Sequence, residues 1–194
     1  MKVVDTNLLG VLLIEPRIIS DARGCFFESF NVDRYEVAGI AGPFVQDNVS
    51  RSKRGVLRGL HFQWPYAQRK LVSVLAGEVF DVAVDVRVGS STFGKWTARV
   101  LSAANGRQLY IPEGFAHGFL TLSAEAVLSY KCSEYYRPEA EWVVRWDDAD
   151  VGIEWPTRAL ALSERDRDAP SLATIARSLL TSQRATGGVA VDTT

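Results

Sequence analysis

The stretch Val79-Phe-Asp-Val-Ala-Val-Asp-Val-Arg87 alternates apolar and polar residues with a period of two. This period is typical of a β-strand, because successive side chains of a strand point to opposite faces of the sheet. One face carries Phe80 and three valines, and the other carries two aspartates. Exposure of that second face would explain both aspartates. If the face instead lines a barrel, Asp81 is a buried carboxylate that needs a partner. That partner would be His61, Lys70 or a group of a bound ligand.

Short runs of β-type residues continue on both sides of this stretch. We predict strands over Leu9–Ile14, Phe44–Ser50, Leu57–Gln63, Lys70–Leu75, Glu78–Arg87, Lys95–Leu101, Gln108–Ile111, His117–Leu122, Val127–Ser133 and Trp142–Trp146, with a short helix over Asp33–Ala38. Turn signals such as Asn105-Gly106 and Pro112-Glu-Gly114 separate the runs. Many short strands at this spacing predict an all-β protein, either an antiparallel sandwich or a barrel.

The C-terminal part has a helical pattern instead. Leu172, Ile175 and Leu179 follow Ser171 at helical spacing, so we predict a helix with Ser171 as its N-cap. After Gln183 the residues are small and polar and include two glycines. We therefore expect one domain over residues 1–183 and a mobile tail over residues 184–194.

Charge and composition exclude several classes of protein. The 194 residues carry 22 Lys+Arg and 23 Asp+Glu, so there is no global positive field for a duplex nucleic acid. Two cysteines do not form a disulfide framework, and no run of 18 apolar residues predicts a membrane span. We expect a cytoplasmic protein that binds neither nucleic acid nor membrane.

The chain has only two histidines, His61 and His117. His61 lies in Arg58-Gly-Leu-His-Phe-Gln63, where strict alternation places Arg58 on the face opposite His61. A bulge at Gly59 would bring both side chains to the same side. Two histidines exclude a three-histidine metal site and leave a two-histidine, one-carboxylate site formally open. The sequence has no G-x-S-x-G, Walker or G-x-G-x-x-G motif, which argues against a serine nucleophile, nucleotide-dependent phosphoryl transfer and bound NAD.

Eight segments in order resemble the dTDP-4-dehydrorhamnose 3,5-epimerase family. They are Asp21–Glu28, Phe44–Ser50, Gly55–Gln63, Gln68–Val72, Gly77–Asp85, Tyr110–Phe119, Tyr130–Tyr136 and Leu162–Asp166. The resemblance implies a cupin-type β-jelly roll with short peripheral helices that works without a metal or an organic cofactor. It also implies a homodimer whose N-terminal segment contributes to the partner's site. The loop Gln63–Lys70 departs from the family pattern.

The resemblance also implies roles for individual residues. His61 matches the general base and Asp166 the carboxylate that orients it, although Asp81 is a rival partner within the substrate site. Lys70 matches the cation beside the keto oxygen of the sugar, and Tyr130 matches the general acid. Phe26 matches an aromatic residue near the thymine. The positions that hold the sugar and the pyrophosphate match Arg23, Glu28, Gln46, Asn48, Arg58, His117 and Tyr136, of which Arg23 and Glu28, like Phe26, are expected to act in trans.

These residue types suit the chemistry of epimerisation beside a ketone. A histidine can act as an unprotonated base near neutral pH, and a lysine can stabilise the developing enolate. The implied function is isomerisation of dTDP-4-dehydro-6-deoxy-D-glucose at C3 and C5 to dTDP-4-dehydro-L-rhamnose, in dTDP-L-rhamnose biosynthesis. Three alternatives stay open. They are an epimerase for a single carbon of a related dTDP-sugar, a non-catalytic sugar-nucleotide-binding jelly roll, and a metal-dependent cupin.

Overall fold

The computed structural model describes residues 1–40, 42–157 and 161–186. Its strands are β1 (Lys2–Asp5), β2 (Leu12–Glu15), β3 (Ile19–Asp21), β4 (Gly24–Phe26), β5 (Gln46–Lys53), β6 (Leu57–Gln63), β7 (Lys70–Ala76), β8 (Glu78–Asp85), β9 (Trp96–Ser102), β10 (Gln108–Ile111), β11 (Phe115–Thr121), β12 (Glu125–Cys132) and β13 (Glu141–Val143). The helices are α1 (Val32–Val37), α2 (Glu164–Arg167) and α3 (Leu172–Thr186), with a 3₁₀ turn over Pro138–Ala140.

Two antiparallel sheets face each other. The six-stranded sheet has the order β1-β2-β10-β7-β12-β5, and the five-stranded sheet has the order β13-β6-β11-β8-β9. The core between the sheets takes Val72 and Leu128 from the first and Val79 and Phe119 from the second. This arrangement confirms the predicted all-β antiparallel fold, and of the two predicted forms, sandwich or barrel, it is the sandwich.

Strand β8 is buried on both of its faces. Val82 and Val84 pack under α3 and the chain around Val144, and Asp81 points into the space between the sheets with no exposed surface. Exposure of the face that carries the aspartates, one of the two explanations for them, is therefore wrong. Asp81 is a buried carboxylate, and its partner belongs to the description of the site.

The helices cover the outer faces of the sheets. Helix α1 places Tyr35 in a cluster with Ile14 and Leu71 on the six-stranded sheet. Helix α3 lies over the five-stranded sheet, and the Thr174 amide donates to the Ser171 hydroxyl at 3.3 Å, which confirms the predicted N-cap. The helix ends at Thr186, three residues beyond the expected boundary at Gln183. Residues 187–194 lie outside the described residues, so the mobile tail there stays a prediction.

All ten predicted strands are present, with bounds that differ by up to three residues. The largest difference at a strand start is at Leu9–Ile14, where the strand begins only at Leu12. Gly10 has a φ of +89° in a turn that the Val11 amide closes on the Leu8 carbonyl at 3.1 Å. The sequence did not predict β1, the hairpin β3–β4 or α2, since these elements are only three or four residues long and lack a clear period. Within the described residues, no helix is long and apolar enough to cross a membrane.

Candidate active site

A pocket of about 360 Å³ opens between the two sheets. It is lined by Gln46, Asn48, Ser50, Arg58, His61, Phe62, Gln63, Gln68, Lys70, His117, Phe119, Tyr130, Tyr136, Glu141 and Arg165. Strands β5, β7 and β12 of the six-stranded sheet form one wall, and β6 and β11 of the five-stranded sheet form the opposite wall. The pocket therefore presents side chains to a ligand from two opposite sides.

A bulge in β6 brings Arg58 and His61 into the same pocket. His61 pairs with His117 of β11 and Arg58 pairs with Phe119, so one more residue lies between the pairs on β6 than on β11. Gly59 has a φ of +121° there, and a Cβ at this position would lie 2.5 Å from the Gly118 Cα. Only glycine fits this close approach of two strands, which confirms the predicted bulge.

His61 is held by Asp166. Its Nε2 lies 2.6 Å from the Asp166 Oδ1, and Asp166 itself is buried. Burial opposes ionisation of Asp166. Hydrogen bonds from the His61 and Ser163 side chains and from the Gly59 amide outweigh this effect and lower the pKa of the Asp166 carboxyl. An ionised Asp166 keeps the ring proton on Nε2 and leaves Nδ1 as a proton acceptor. Of the two carboxylates that the sequence offered to His61, the structure pairs it with Asp166.

Asp81 belongs to a second pair. The His117 Nε2 lies 2.9 Å from the Asp81 Oδ2, and both side chains are buried. His117 lines the pocket, whereas Asp81 lies behind it and does not. The expectation that Asp81 contacts a substrate directly is therefore wrong, because Asp81 contacts His117 instead. The structure thus holds two histidine–carboxylate pairs, one for each histidine of the chain.

Lys70 lies in the pocket wall with only 8% of its surface exposed. Its Nζ is 3.4 Å from the His61 carbonyl oxygen and 6.0 Å from the centre of the Tyr130 ring. Burial lowers the pKa of Lys70. The carboxylates of Glu141 and Asp81, and Cys132 when it is a thiolate, oppose this effect. A buried ammonium group with few partners is well placed to meet negative charge that develops on a ligand.

Tyr130 enters the pocket from the wall opposite His61. It is on β12, and the hydrogen bonds within the described residues include none to its hydroxyl. Burial raises the pKa of Tyr130, so the hydroxyl keeps its proton at neutral pH. A protonated hydroxyl on the wall opposite a carboxylate-bound histidine can donate a proton to a ligand that lies between them.

Further polar groups come from β5 and from the segment after β12. Gln46 and Asn48 line the pocket from alternate positions of β5, and the Gln46 Nε2 donates to the Asn48 Oδ1 at 3.0 Å. Tyr136 lies at the opening, where its hydroxyl donates to the Glu141 Oε2 at 2.6 Å. Arg165 pairs with the same carboxylate oxygen at 2.7 Å.

Sequence reasoning missed Glu141 and Arg165. Arg165 immediately precedes Asp166 on α2, so its place beside the pocket follows from that of Asp166. Glu141 begins β13, which pairs with β6 next to the pocket, but the sequence-based strand began one residue later at Trp142. A carboxylate at the start of an edge strand gives no signal in the sequence that it faces a pocket.

Three expected site residues lie away from the pocket of their own chain. Arg23 and Phe26 are on the exposed hairpin β3–β4, where Arg23 pairs with Asp21 and Phe26 is 71% exposed. Glu28 follows the hairpin and pairs with Arg34 of α1. Within the described residues, no three His, Cys, Asp or Glu side chains converge as metal ligands.

The chain matches the family model described as dTDP-4-dehydrorhamnose 3,5-epimerase over residues 5–174. A relative of that name from Salmonella typhimurium is 53% identical over 175 residues, which cover 89% of this chain and 96% of the relative. A relative from Escherichia coli K12 is 52% identical over 169 residues, which cover 86% and 91% of the two chains.

A solved structure extends the comparison to the fold. The dTDP-6-deoxy-D-glucose-3,5-epimerase of Legionella pneumophila, determined in complex with dTDP-4-keto-L-rhamnose, has a TM-score of 0.88 and 52% identity, with coverage of 92% of this chain and 96% of that one. This likeness confirms the expected cupin-type jelly roll. The family model spans most of the chain, and about half of the residues are identical in relatives that the match covers almost completely. The chain therefore belongs to the dTDP-4-dehydrorhamnose 3,5-epimerase family of isomerases.

Proposed function

We propose that this chain epimerises dTDP-4-dehydro-6-deoxy-D-glucose at C3 and C5 and so produces dTDP-4-dehydro-L-rhamnose for dTDP-L-rhamnose biosynthesis. One observation carries the proposal beyond family membership. A histidine oriented by a carboxylate and a tyrosine whose hydroxyl keeps its proton line opposite walls of one pocket that also contains a buried lysine. These are the groups needed to remove and return a proton beside a ketone.

His61 begins the reaction as the base. The C–H bonds at C3 and C5 are acidified by the C4 ketone, and the Nδ1 atom of His61 takes the proton while the electron pair moves to the keto oxygen. Asp166, 2.6 Å from the Nε2 atom, stabilises the imidazolium that forms. The Lys70 ammonium stabilises the enolate oxygen, which is the largest electrostatic demand of the step.

Tyr130 completes the inversion. The enolate is planar at the carbon that lost its proton, so the configuration inverts when a proton returns on the other face. His61 belongs to the five-stranded sheet and Tyr130 to the six-stranded sheet, so the two groups approach a sugar ring from opposite walls. The Tyr130 hydroxyl donates its proton to carbon, and before the next proton removal Tyr130 regains a proton from solvent while His61 releases its own to solvent.

The nucleotide part of the substrate requires residues that the pocket of one chain does not contain. Arg58 lies in the pocket and offers its guanidinium to the pyrophosphate. Arg23, Phe26 and Glu28 are on an exposed segment outside it. We therefore propose a homodimer in which this segment reaches the partner's pocket, with Phe26 against the thymine. The 71% exposure of Phe26 supports this placement, because a large apolar ring gains from burial in a partner.

The proposed reaction uses no metal and no organic cofactor, since base, acid and oxyanion stabiliser are all side chains of the pocket. Retention of full activity after exhaustive chelation supports this part of the proposal, and loss that added zinc, iron or manganese restores would contradict it. We also propose that the protein works in the cytoplasm. The free thiol of the exposed Cys25 suits a reducing compartment.

The direct experiment mixes the protein with dTDP-4-keto-6-deoxyglucose in deuterated water and follows the product by NMR. The proposal expects deuterium at both C3 and C5, with inverted configuration at both carbons. Deuterium and inversion at one carbon would instead establish an epimerase for a single carbon. Tight binding without exchange at either carbon would establish a non-catalytic binding protein.

A further inference from the structure

Helix α2 buries no apolar side chain. Its four residues, Glu164–Arg167, are all charged, and only Asp166, the carboxylate that holds His61, is buried. A helix this short is not stable by itself in water, and most helices gain their stability from the packing of an apolar face. Because α2 has no such face, its stability comes from its ends and from polar contacts.

The chain on either side of α2 is fixed by backbone hydrogen bonds. Before the helix, the Ala161 amide donates to the Gly55 carbonyl at 2.8 Å, and the Leu57 amide donates to the Ala161 carbonyl at 3.0 Å. After the helix, the Arg145 amide donates to the Pro170 carbonyl at 2.9 Å. These bonds place α2 beside the start of β6, but none of them involves a residue of the helix itself.

Ser163 connects the helix to the orientation of Asp166. It is the N-cap of α2, and its hydroxyl accepts a hydrogen bond from the Asp166 amide at 3.1 Å. A hydrogen bond from the Ser163 side chain also helps to lower the pKa of the Asp166 carboxyl. One hydroxyl therefore stabilises the first turn of α2 and holds the side chain that this turn presents to His61.

We propose that Ser163 is a positioning residue of the reaction, which sets the orientation of His61 through Asp166. This inference rests on the proposed function, in which His61 is the base. While the Asp166 carboxylate stays against Nε2, the Nδ1 atom is free to accept a proton. Without the cap, α2 opens more often, Asp166 leaves the ring, and fewer molecules are ready for proton removal.

The loss falls mainly on proton removal rather than on substrate binding. Arg165 of α2 also lines the pocket, but its guanidinium is held by Glu141 at 2.7 Å, outside the helix. Asp166 has no comparable anchor at the level of the side chain except His61, the Ser163 cap and the Gly59 amide. Loss of the cap therefore reduces kcat more than it raises KM.

A second serine cap provides a matched control. Ser171 caps α3, where the Thr174 amide donates to its hydroxyl at 3.3 Å, and it lies outside the pocket. This helix buries Leu172, Ile175 and Leu179 over the five-stranded sheet. The Ser171 cap therefore contributes to the stability of the domain and not to the orientation of a pocket residue.

The test compares Ser163→Ala with Ser171→Ala, which remove the same kind of bond. We expect Ser163→Ala to lower kcat by roughly tenfold while the melting temperature changes little, and Ser171→Ala to lower the melting temperature while kcat stays unchanged. Ser163→Thr keeps a capping hydroxyl and restores most of kcat. A wild-type kcat in Ser163→Ala, or an equal loss of kcat in Ser171→Ala, would overturn the inference.

Coupling to Asp166 distinguishes positioning from a separate effect. In Asp166→Ala no carboxylate is left to position, so the addition of Ser163→Ala does not lower kcat further. Solvent deuterium exchange at C5, followed by NMR over long times, measures the slow rates of both variants. A further fall in the double variant, as large as that in Ser163→Ala alone, would contradict the proposed action through Asp166.

The ring nitrogens of the histidines give a readout that does not depend on turnover. The chain has two histidines, and their Nε2 atoms lie 2.6 Å and 2.9 Å from carboxylate oxygens. We expect the NMR signals of the wild type, at a pH where both rings are neutral, to show the proton of each ring on Nε2. In Ser163→Ala the His61 ring becomes a mixture of tautomers, whereas His117, which is held by Asp81 of β8, does not change.

This spectrum separates failure of the inference from failure of the proposed function. If the wild-type chain does not turn over dTDP-4-keto-6-deoxyglucose, the proposed function is wrong. The tautomers of the two rings then still decide whether Ser163 positions His61. A mixture confined to His61 supports the positioning role, and a proton that stays on the His61 Nε2 in Ser163→Ala overturns it.

Discussion

The Nε2 atom of His61 lies 2.6 Å from the Oδ1 atom of Asp166, although the two residues are 105 positions apart in the chain. Asp166 reaches this position on α2, whose N-terminus is capped by Ser163. The Asp166 amide donates to the Ser163 hydroxyl at 3.1 Å. The orientation of the proposed base therefore depends on a four-residue helix beyond the two sheets.

Asp166→Asn tests this orientation. An asparagine amide donates to the ring nitrogen that it faces, so the proton moves to the nitrogen that should act as the base. We expect kcat to fall by roughly 10²–10⁴-fold with little change in KM. Asp168→Asn, an exposed change at the end of the same helix, is the control and retains activity. A wild-type kcat in Asp166→Asn would contradict the assigned role.

Tyr130→Phe separates proton removal from inversion. His61 still removes the C5 proton and Lys70 still stabilises the enolate, but no donor remains on the opposite wall. Deuterium from solvent then enters at C5 with the original configuration. If Tyr130 only packs, the substitution costs about 1 kcal/mol of stability or less and leaves inversion intact. Near-native epimerisation at C5 is the outcome that excludes Tyr130 as the acid.

The fall of kcat at alkaline pH should arise from deprotonation of Lys70. Burial lowers the pKa of Lys70 from its ordinary value of 10.5, whereas burial raises that of Tyr130 from 10.0. Lys70 therefore loses its charge at a lower pH than an exposed lysine would, and kcat falls there because the enolate loses its counter-charge. Lys70→Arg keeps the charge at all accessible pH values and removes this fall. An identical fall in Lys70→Arg would assign it to another group.

Asp85 gives a prediction for stability rather than activity. Burial opposes its ionisation, but hydrogen bonds from Arg87, Thr92 and Ser90 lower its pKa from 3.8 to about 2. Because the folded pKa is the lower one, the stabilisation is complete above the unfolded value and is lost as pH falls through about 2. We expect Asp85→Asn to reduce the free energy of unfolding by about 2 kcal/mol at neutral pH.

The difference between wild type and Asp85→Asn should disappear in acid, as urea unfolding at several pH values will measure. Asp147→Asn is the matched control, because Asp147 pairs with Arg145 while both side chains are about 40% exposed. Its effect should not exceed about 1 kcal/mol. A difference for Asp85→Asn that persists unchanged at low pH would exclude ionisation of this carboxyl as the cause.

The period-two pattern predicted the strands because alternation is a local property of the chain. The bulge at Gly59 was predictable for the same reason, since a glycine inside a strand marks either a bulge or a close approach. The residue pattern alone did not decide which carboxylate pairs with His61, and Asp166 was named only by the family resemblance. The pattern offered Asp81 to His61 or Lys70, whereas the structure pairs it with His117, which lies directly opposite His61 on β11. That pairing depends on the register between strands, and the pairing of His61 depends on where α2 packs.

The positions of Gln63 and Glu141 around Tyr136 show the same limit. Gln63 was noticeable as a polar residue inside a strand, but its partners are backbone groups of Tyr135 and Arg137. Backbone partners leave no trace in residue identity. The proposed trans contribution of Arg23 and Phe26 came only from the family resemblance, because exposed short strands carry no pattern that identifies a partner.

The most direct test of the account is solvent exchange in His61→Asn. The protein is mixed with dTDP-4-keto-6-deoxyglucose in deuterated water, and NMR measures deuterium at C3 and C5 beside the wild type, with dTDP binding measured in parallel. The account predicts that the exchange rate at both carbons falls by roughly 10²–10⁴-fold or more while dTDP still binds. Exchange at the wild-type rate in His61→Asn would show that another group is the base and would contradict the account.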